Sequence, residues 1–97
     1  MPTYISLMHW TRQGIQTVKD APARLDAAKQ AIRSAGGEIK AVYLVMGQYD
    51  FVLIAEAPND EAVARLVIAT GMQGHVRTET MRAFTEDEYR KIVASLP

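Results

Sequence analysis

The chain has 97 residues, with eleven basic side chains, eleven acidic side chains and no cysteine. This length predicts one domain, residues 1–97, and a net charge of zero supplies no positive field for nucleic acid. The lack of cysteine excludes disulfides and zinc–thiolate sites. Because the N-terminal stretch lacks the regions of a signal peptide, and no apolar run reaches ~18 residues, we expect a cytoplasmic protein with no membrane partner.

The first predicted element is a strand. Residues 3–9 have a two-residue period and include residues that favour β-structure. Residues 10–22 then carry Gly14 and Pro22 among polar side chains, which indicates an ordered connector with room for one helical turn.

A helix follows this connector. It begins at Asp20 or Pro22, since proline fits the first turn of a helix. It ends at Gly36 and Gly37, because glycine accepts the left-handed conformation found at helix C-termini. Its apolar residues recur at steps of three and four: Leu25, Ala28, Ile32 and Ala35.

Two apolar runs, residues 39–46 and 51–56, flank a short turn and predict a β-hairpin. Gly47 is expected to supply backbone freedom in that turn. Neither run alternates cleanly between apolar and polar residues, although a strand with one solvent-exposed face should do so. The pattern therefore predicts that both faces of these strands are covered.

The remaining elements are a helix, a strand and a terminal helix. The helix begins at Asn59 or Asp60, either of which can cap free amides, and Gly71 closes it. The strand over residues 75–84 carries enough charge for a sheet edge. Residues 85–88 resemble a capping box that opens the terminal helix. The apolar stripe of this last helix is Tyr89, Ile92, Val93 and Leu96.

The order of these elements is the ferredoxin-like βαββαβ plan of an α+β protein, followed by a C-terminal helix. Right-handed crossovers place both long helices on one face of a four-stranded antiparallel sheet. In this plan the sheet order is fourth, first, third, second, so the first and third strands are central.

The predicted topology gathers side chains that are distant in the sequence at one edge of the sheet. The end of the first strand lies between the start of the third strand and the start of the fourth. An aromatic wall with a few convergent polar groups is typical of a small-ligand pocket. The predicted ligand-binding residues are His9, Trp10, Gln48, Tyr49, Asp50, His75 and Arg77.

Each of these residues also has a structural interpretation. Asp50 more often accepts backbone amides in a turn than acts in catalysis, and Trp10 and Tyr49 are also suited to packing against a partner chain. His9 or His75 could instead move protons beside Asp50 in an enzyme. The spacing of these residues matches no metal-ligand motif, so neither a metal nor a cofactor is predicted.

The sheet face opposite the long helices is expected to be covered by a second copy of the chain. The first strand sends Ile5 and Leu7 to one side. Its other side, which we place on the uncovered face, carries Tyr4, Ser6, Met8 and Trp10. This set is too apolar to be freely exposed to water. Burying ~600 Å² there would contribute on the order of 15 kcal/mol before the entropy of association is subtracted.

We therefore expect a homodimer or higher homo-oligomer through the sheet face, in the manner of a dimeric α/β barrel. The alternative is that the terminal helix folds back and covers this face within one chain. Its narrow stripe shields only part of a four-stranded sheet, which favours the dimer.

Several segments together resemble the GYD-domain family. They are the turn Gly47–Asp50, the opening Thr3–Tyr4, residues 19–25, the pair Gly36–Gly37 and the closing residues 82–85. The resemblance covers nearly the whole chain and implies a small bacterial or archaeal ferredoxin-like protein that associates through its sheet. Gln48 stands where many members have glutamate. The activity of the family is essentially uncharacterised, so the resemblance assigns no catalytic residue.

The hairpin alone is also similar to the effector-binding domain of the Lrp/AsnC regulators. That dimeric domain has a glycine, tyrosine and aspartate turn near its amino-acid site, although this chain has no room for the regulators' helix-turn-helix. The favoured interpretation is a non-enzymatic, self-associating module that binds a small polar molecule or modulates a partner. A small dimeric α/β-barrel enzyme, such as a monooxygenase or isomerase with a His–Asp pair, and a structural assembly subunit are the alternatives.

Overall fold

The structure, a computed structural model, describes residues 1–97 as four strands and four α-helices. The strands are β1 (Thr3–Trp10), β2 (Glu38–Leu44), β3 (Phe51–Glu56) and β4 (Val76–Ala83). The helices are α1 (Arg12–Gln16), α2 (Ala21–Ser34), α3 (Asp60–Met72) and α4 (Glu86–Ala94), with a 3₁₀ turn at Val18–Asp20. No helix has both the length and the apolar character that crossing a bilayer requires.

The four strands form one antiparallel sheet in the order β2-β3-β1-β4. This order confirms the ferredoxin-like plan and its two central strands. Helices α2 and α3 both pack on one face of the sheet. A register shift between Ile39 and Ala41 marks an irregularity in edge strand β2.

Most helix ends lie where capping chemistry predicts them. Pro22 stands in the first turn of α2, and Gly36 follows that helix with a φ of 88°. The Asn59 side chain accepts a hydrogen bond from the Ala62 amide at 2.9 Å, which caps α3. Thr85 and Glu88 form the predicted capping box at the start of α4.

Helix α3 ends one residue beyond the predicted Gly71. The helix continues to Met72, and the chain turns towards β4 at Gly74, where φ is 78°. A glycine inside a helix costs only about 1 kcal/mol relative to alanine, so it does not by itself stop the helix. The residue that must adopt a left-handed conformation is the true boundary.

The connector after β1 is more helical than the sequence predicts. The Thr11 hydroxyl accepts a hydrogen bond from the Gly14 amide at 3.0 Å and caps α1. The Thr11 amide in turn donates to the His75 carbonyl at 3.0 Å, which joins α1 to the start of β4. A Cβ on Gly14 would lie 1.9 Å from that carbonyl oxygen, so only glycine fits this helix against the sheet.

The β2–β3 turn also differs from the prediction. Strand β2 ends at Leu44 rather than at residue 46, and the Met46 side chain is fully exposed. The Val45 amide donates to the Asp50 carbonyl at 2.8 Å and closes the turn. Gly47 has no positive φ, so the expectation that this turn uses glycine's backbone freedom is wrong.

The two faces of β1 are opposite to the prediction. The set of Tyr4, Ser6, Met8 and Trp10 faces α2 and α3, and Tyr4 and Met8 are only 4% and 8% exposed. Both parities of this strand are apolar, so alternation could not distinguish the faces. Strand pairing places on the other side, hereafter the open face, Ile5, Leu7, Ala41, Tyr43, Val52, Ile54 and Met81.

Helix α4 does not cover the open face within the chain. None of its residues is buried, and Tyr89 is 60% exposed. On the open face itself, Tyr43 is 59% exposed and Met81 is 42% exposed. The molecule measures 52 × 31 × 19 Å. The chain therefore presents two unpartnered apolar surfaces, the open face and the α4 stripe.

Candidate functional site

Asp50 joins the β2–β3 turn to the end of β1. Its carboxylate accepts a hydrogen bond from the Trp10 amide at 2.9 Å, and its own amide donates to the Met8 carbonyl at 2.8 Å. These bonds extend the pairing of β1 with β3 by one step beyond the last ladder pair, Met8 with Phe51. Asp50 thus has the geometry of a residue that fixes a turn.

An open cleft lies at this edge of the sheet, hereafter the edge cleft. Its lining residues are His9, Trp10, Thr11, Arg12, Tyr49, Arg77, Thr78 and Glu79. His9 pairs with Arg77 and Leu7 pairs with Glu79 across β1 and β4, so the side chains of these four residues share the open face. The cleft is therefore continuous with the apolar open face.

Tyr49 organises the cleft through two contacts. Its hydroxyl donates a hydrogen bond to the Glu79 carboxylate at 2.5 Å. Its ring lies 4.7 Å from the His9 imidazole, measured between centroids, with a tilt of 34°. The hydrogen bond to Glu79 is the largest cause of a rise in the pKa of Tyr49 above its usual 10.0. At neutral pH the phenol is therefore a donor.

The cleft carries both signs of charge. Arg77 and Glu79 are two residues apart on the same face of β4, which separates their Cα atoms by about 7 Å. Both side chains are exposed, and His9 lies across from Arg77. A cation and an anion at this spacing suit a ligand that itself carries both charges. No three His, Asp or Glu side chains converge to hold a metal ion.

The structure divides the residues predicted for the site. His9, Tyr49 and Arg77 line the edge cleft. His75 instead borders a second cavity, hereafter the interior cavity, which lies between the sheet and helices α2 and α3. Trp10 borders both spaces. Gln48 is exposed in the turn and lines neither.

Four residues of the edge cleft were absent from the predicted set: Thr11, Arg12, Thr78 and Glu79. Glu79 accepts the Tyr49 hydroxyl, and Thr11 joins the cleft to the start of β4 through its amide and its side chain. The signal for Glu79 was its position two residues after Arg77 on β4, because residues two apart on a strand share a face. For Thr11 the signal was its residue type, because threonine is among the residues preferred at a helix N-cap.

The fold and the cleft together define an α+β ferredoxin-like module with a polar and aromatic site at one sheet edge. The chain belongs to the GYD domain family, whose model matches residues 4–93. It is 37% identical over 84 residues to the glutamine synthetase and cystathionine beta-lyase binding protein of Thermus thermophilus. That alignment covers 86% of this chain and 88% of the relative.

Two solved structures of Mycobacterium tuberculosis regulators share the fold. The leucine response regulatory protein is 18% identical, with a TM-score of 0.64 over 87% of this chain and 51% of that one. A feast or famine regulatory protein complexed with L-methionine is 19% identical, with a TM-score of 0.66 over 88% of this chain and 51% of that one. This chain thus spans about half the length of these regulators. The likeness agrees with the similarity to Lrp/AsnC effector-binding domains at the level of fold.

Proposed function

We propose that the protein is a self-associating binding module whose edge cleft takes a small amino-acid-like molecule and which regulates an enzyme of amino-acid metabolism. In this proposal two copies pair through their open faces. The observation that carries it is the open face itself, an apolar sheet surface that no element of the chain covers.

The size of the open face supports pairing with a second copy. Four strands about 4.8 Å apart and about eight residues long present a surface of roughly 20 × 26 Å, or about 500 Å². A stable interface buries about 800 Å² per partner. The exposed α4 stripe, Tyr89, Ile92, Val93 and Leu96, can supply the difference if it packs against the partner. Each copy would then contribute its open face and its α4 stripe to the same interface, as two-fold symmetry requires.

The charges of the edge cleft support a zwitterionic ligand. An amino acid carries a carboxylate that the Arg77 guanidinium can bind and an ammonium group that the Glu79 carboxylate can bind. The regulator solved with L-methionine has the same fold, which makes an amino acid the first ligand to test. Because the cleft opens onto the open face, a second copy would close it and exclude water.

The name of the Thermus thermophilus relative supports a protein partner. That relative binds glutamine synthetase and cystathionine beta-lyase, and its similarity extends over most of this chain. We infer that this chain binds an enzyme of the same kind. A His–Asp proton-transfer pair has no support in the bonds of Asp50, whose carboxylate holds the Trp10 amide.

The pairing of open faces is tested by Ile5→Lys. Ile5 lies in the centre of the open face, between Ile54 and Met81. A lysine there would bury a charge in the interface, so the mass in light scattering should fall to that of one chain while the circular dichroism stays native. The matched control is Ile68→Lys on α3, where the side chain is already 64% exposed and the assembly should persist. If Ile5→Lys leaves the assembly unchanged, the open face is not the interface.

The ligand is tested by calorimetric titration of L-methionine and L-glutamine into the wild-type protein. Arg77→Gln should weaken binding about tenfold or more, because a charge-assisted hydrogen bond contributes roughly 1.5–3 kcal/mol. Arg65→Gln, on the exposed side of α3, should bind like the wild type. Equal losses in both variants, or no heat from either amino acid, would contradict an amino-acid site in the edge cleft.

The partner is tested with purified glutamine synthetase and cystathionine beta-lyase from the same organism as the chain. Co-elution with either enzyme in size-exclusion chromatography supports the proposal. A failure of both enzymes to co-elute, in the presence and absence of L-glutamine and L-methionine, would contradict it.

A further inference from the structure

The interior cavity has a volume of about 230 Å³ and is partly open to solvent along α2, where Ala27 and Ala31 are exposed. Its floor is the helix-facing side of the sheet, including Tyr4, Met8 and Trp10, and its walls are α2 and α3. Eighteen of its twenty-five lining residues are hydrophobic, so an occupant must be largely apolar. The cavity lies on the opposite side of the sheet from the open face and does not depend on a second copy.

The sequence leaves this space because α2 places small side chains along it. Ala21, Ala27, Ala28 and Ala31 all line the cavity. Protein interiors are normally filled to crystal-like density, with few voids larger than a water molecule. A helix with leucine at these positions would have filled the gap at little cost in helix propensity.

One of the lining residues of the cavity, His75, carries an unpaired polar atom. His75 Nδ1 is buried and no group of the chain bonds to it. The hydroxyls of Ser6 and Thr80 on the cavity floor lie 2.7 Å apart and hydrogen-bond to each other. A buried polar atom without a partner is destabilising, so in the tautomer that leaves Nδ1 unprotonated a ligand hydroxyl that donates to it would gain a hydrogen bond there.

We propose that the interior cavity binds a small aromatic or branched apolar molecule that carries one hydroxyl group, which donates to His75 Nδ1. In this arrangement the imidazole is protonated at Nε2. The volume agrees, because an apolar protein cavity of about 150 Å³ is sufficient to hold benzene. The site is separate from the edge cleft, although Trp10 borders both.

Phenol and benzene are the probes that test this proposal. Trp10 is the only tryptophan of the chain and lines the cavity, so its fluorescence reports occupancy. Phenol should change this fluorescence with saturation at one molecule per chain. Ala28→Leu fills the cavity and should weaken phenol binding at least tenfold. Ala23→Leu, on the same helix but exposed and outside the lining, should bind phenol like the wild type.

The role of His75 is tested by the ratio of phenol to benzene affinity. His75→Phe keeps a ring of similar size but removes the acceptor, so the ratio should fall about fivefold from its wild-type value. In wild-type protein, nuclear Overhauser effects should join the phenol ring to the methyl groups of Met8 and Ala28, which locates the probe even if a variant does not fold. Equal binding by Ala28→Leu and Ala23→Leu, no phenol binding, or an unchanged ratio in His75→Phe would overturn the proposal.

Discussion

The Asp50 carboxylate holds the Trp10 amide at 2.9 Å and thereby fixes the end of β1 against the β2–β3 turn. Trp10 forms part of both the edge cleft and the interior cavity, and its ring lies 5.5 Å from the Phe51 ring. One side chain in a turn therefore positions the residue that separates the two candidate sites.

Asp50→Ala should lower the free energy of unfolding by about 1–3 kcal/mol, because the Trp10 amide loses its acceptor in a part-buried position. Asp50→Asn retains a carbonyl oxygen at the same place and should cost less than half as much. Urea unfolding followed by Trp10 fluorescence measures both values. Equal losses in the two variants would show that the charge of Asp50, rather than its hydrogen bond, stabilises the turn.

Gly14→Ala should be strongly destabilising, because its Cβ would lie 1.9 Å from the His75 carbonyl oxygen and α1 would have to move away from β4. Overpacking of this kind costs typically about 1–3 kcal/mol. The control is Gly71→Ala in α3, where a Cβ has no neighbour within 4 Å and alanine favours the helix by up to about 1 kcal/mol. Thermal unfolding should therefore move in opposite directions for the two variants, and a stable Gly14→Ala protein would refute the close contact.

The start of α4 should depend on pH through Glu88. The hydrogen bond from the Thr85 amide is the largest cause of a pKa of Glu88 below its usual 4.5. The capping box is therefore fully formed above pH 4.5 and is lost as the pH falls through the lower pKa of the folded state. Amide chemical shifts of Thr85 and Glu88 should report this loss in an acid titration.

Glu88→Gln is the matched control for that titration. Glutamine accepts the same hydrogen bond without titrating, so the cap should persist to lower pH. If α4 frays at the same pH in both proteins, protonation of Glu88 is not the cause.

Local chemistry made several elements predictable. Asn59 and Thr85 have side chains that cap a helix wherever it starts, and the sheet order follows from the element order and crossover handedness alone. The faces of β1 could not be predicted in the same way. Ile5 and Leu7 are as apolar as their neighbours, so the choice of face depends on which side chains α2 and α3 meet in three dimensions.

The candidate site was only partly predictable for a related reason. Topology brought His9, Tyr49 and Arg77 to the same cleft, as strand order indicates. His75 lines the helix side instead, because it precedes β4 and its carbonyl is held by the Thr11 amide of the α1 cap. The bond between Tyr49 and Glu79 depends on the conformation of the β2–β3 turn, which no sequence pattern specified.

Sedimentation velocity of the wild-type protein over a range of dilutions tests most directly whether the open face needs a second copy. We predict a species of at least twice the chain mass at micromolar concentration, dissociating only on strong dilution or in Ile5→Lys. A single, fully folded chain at every concentration would contradict the pairing of open faces.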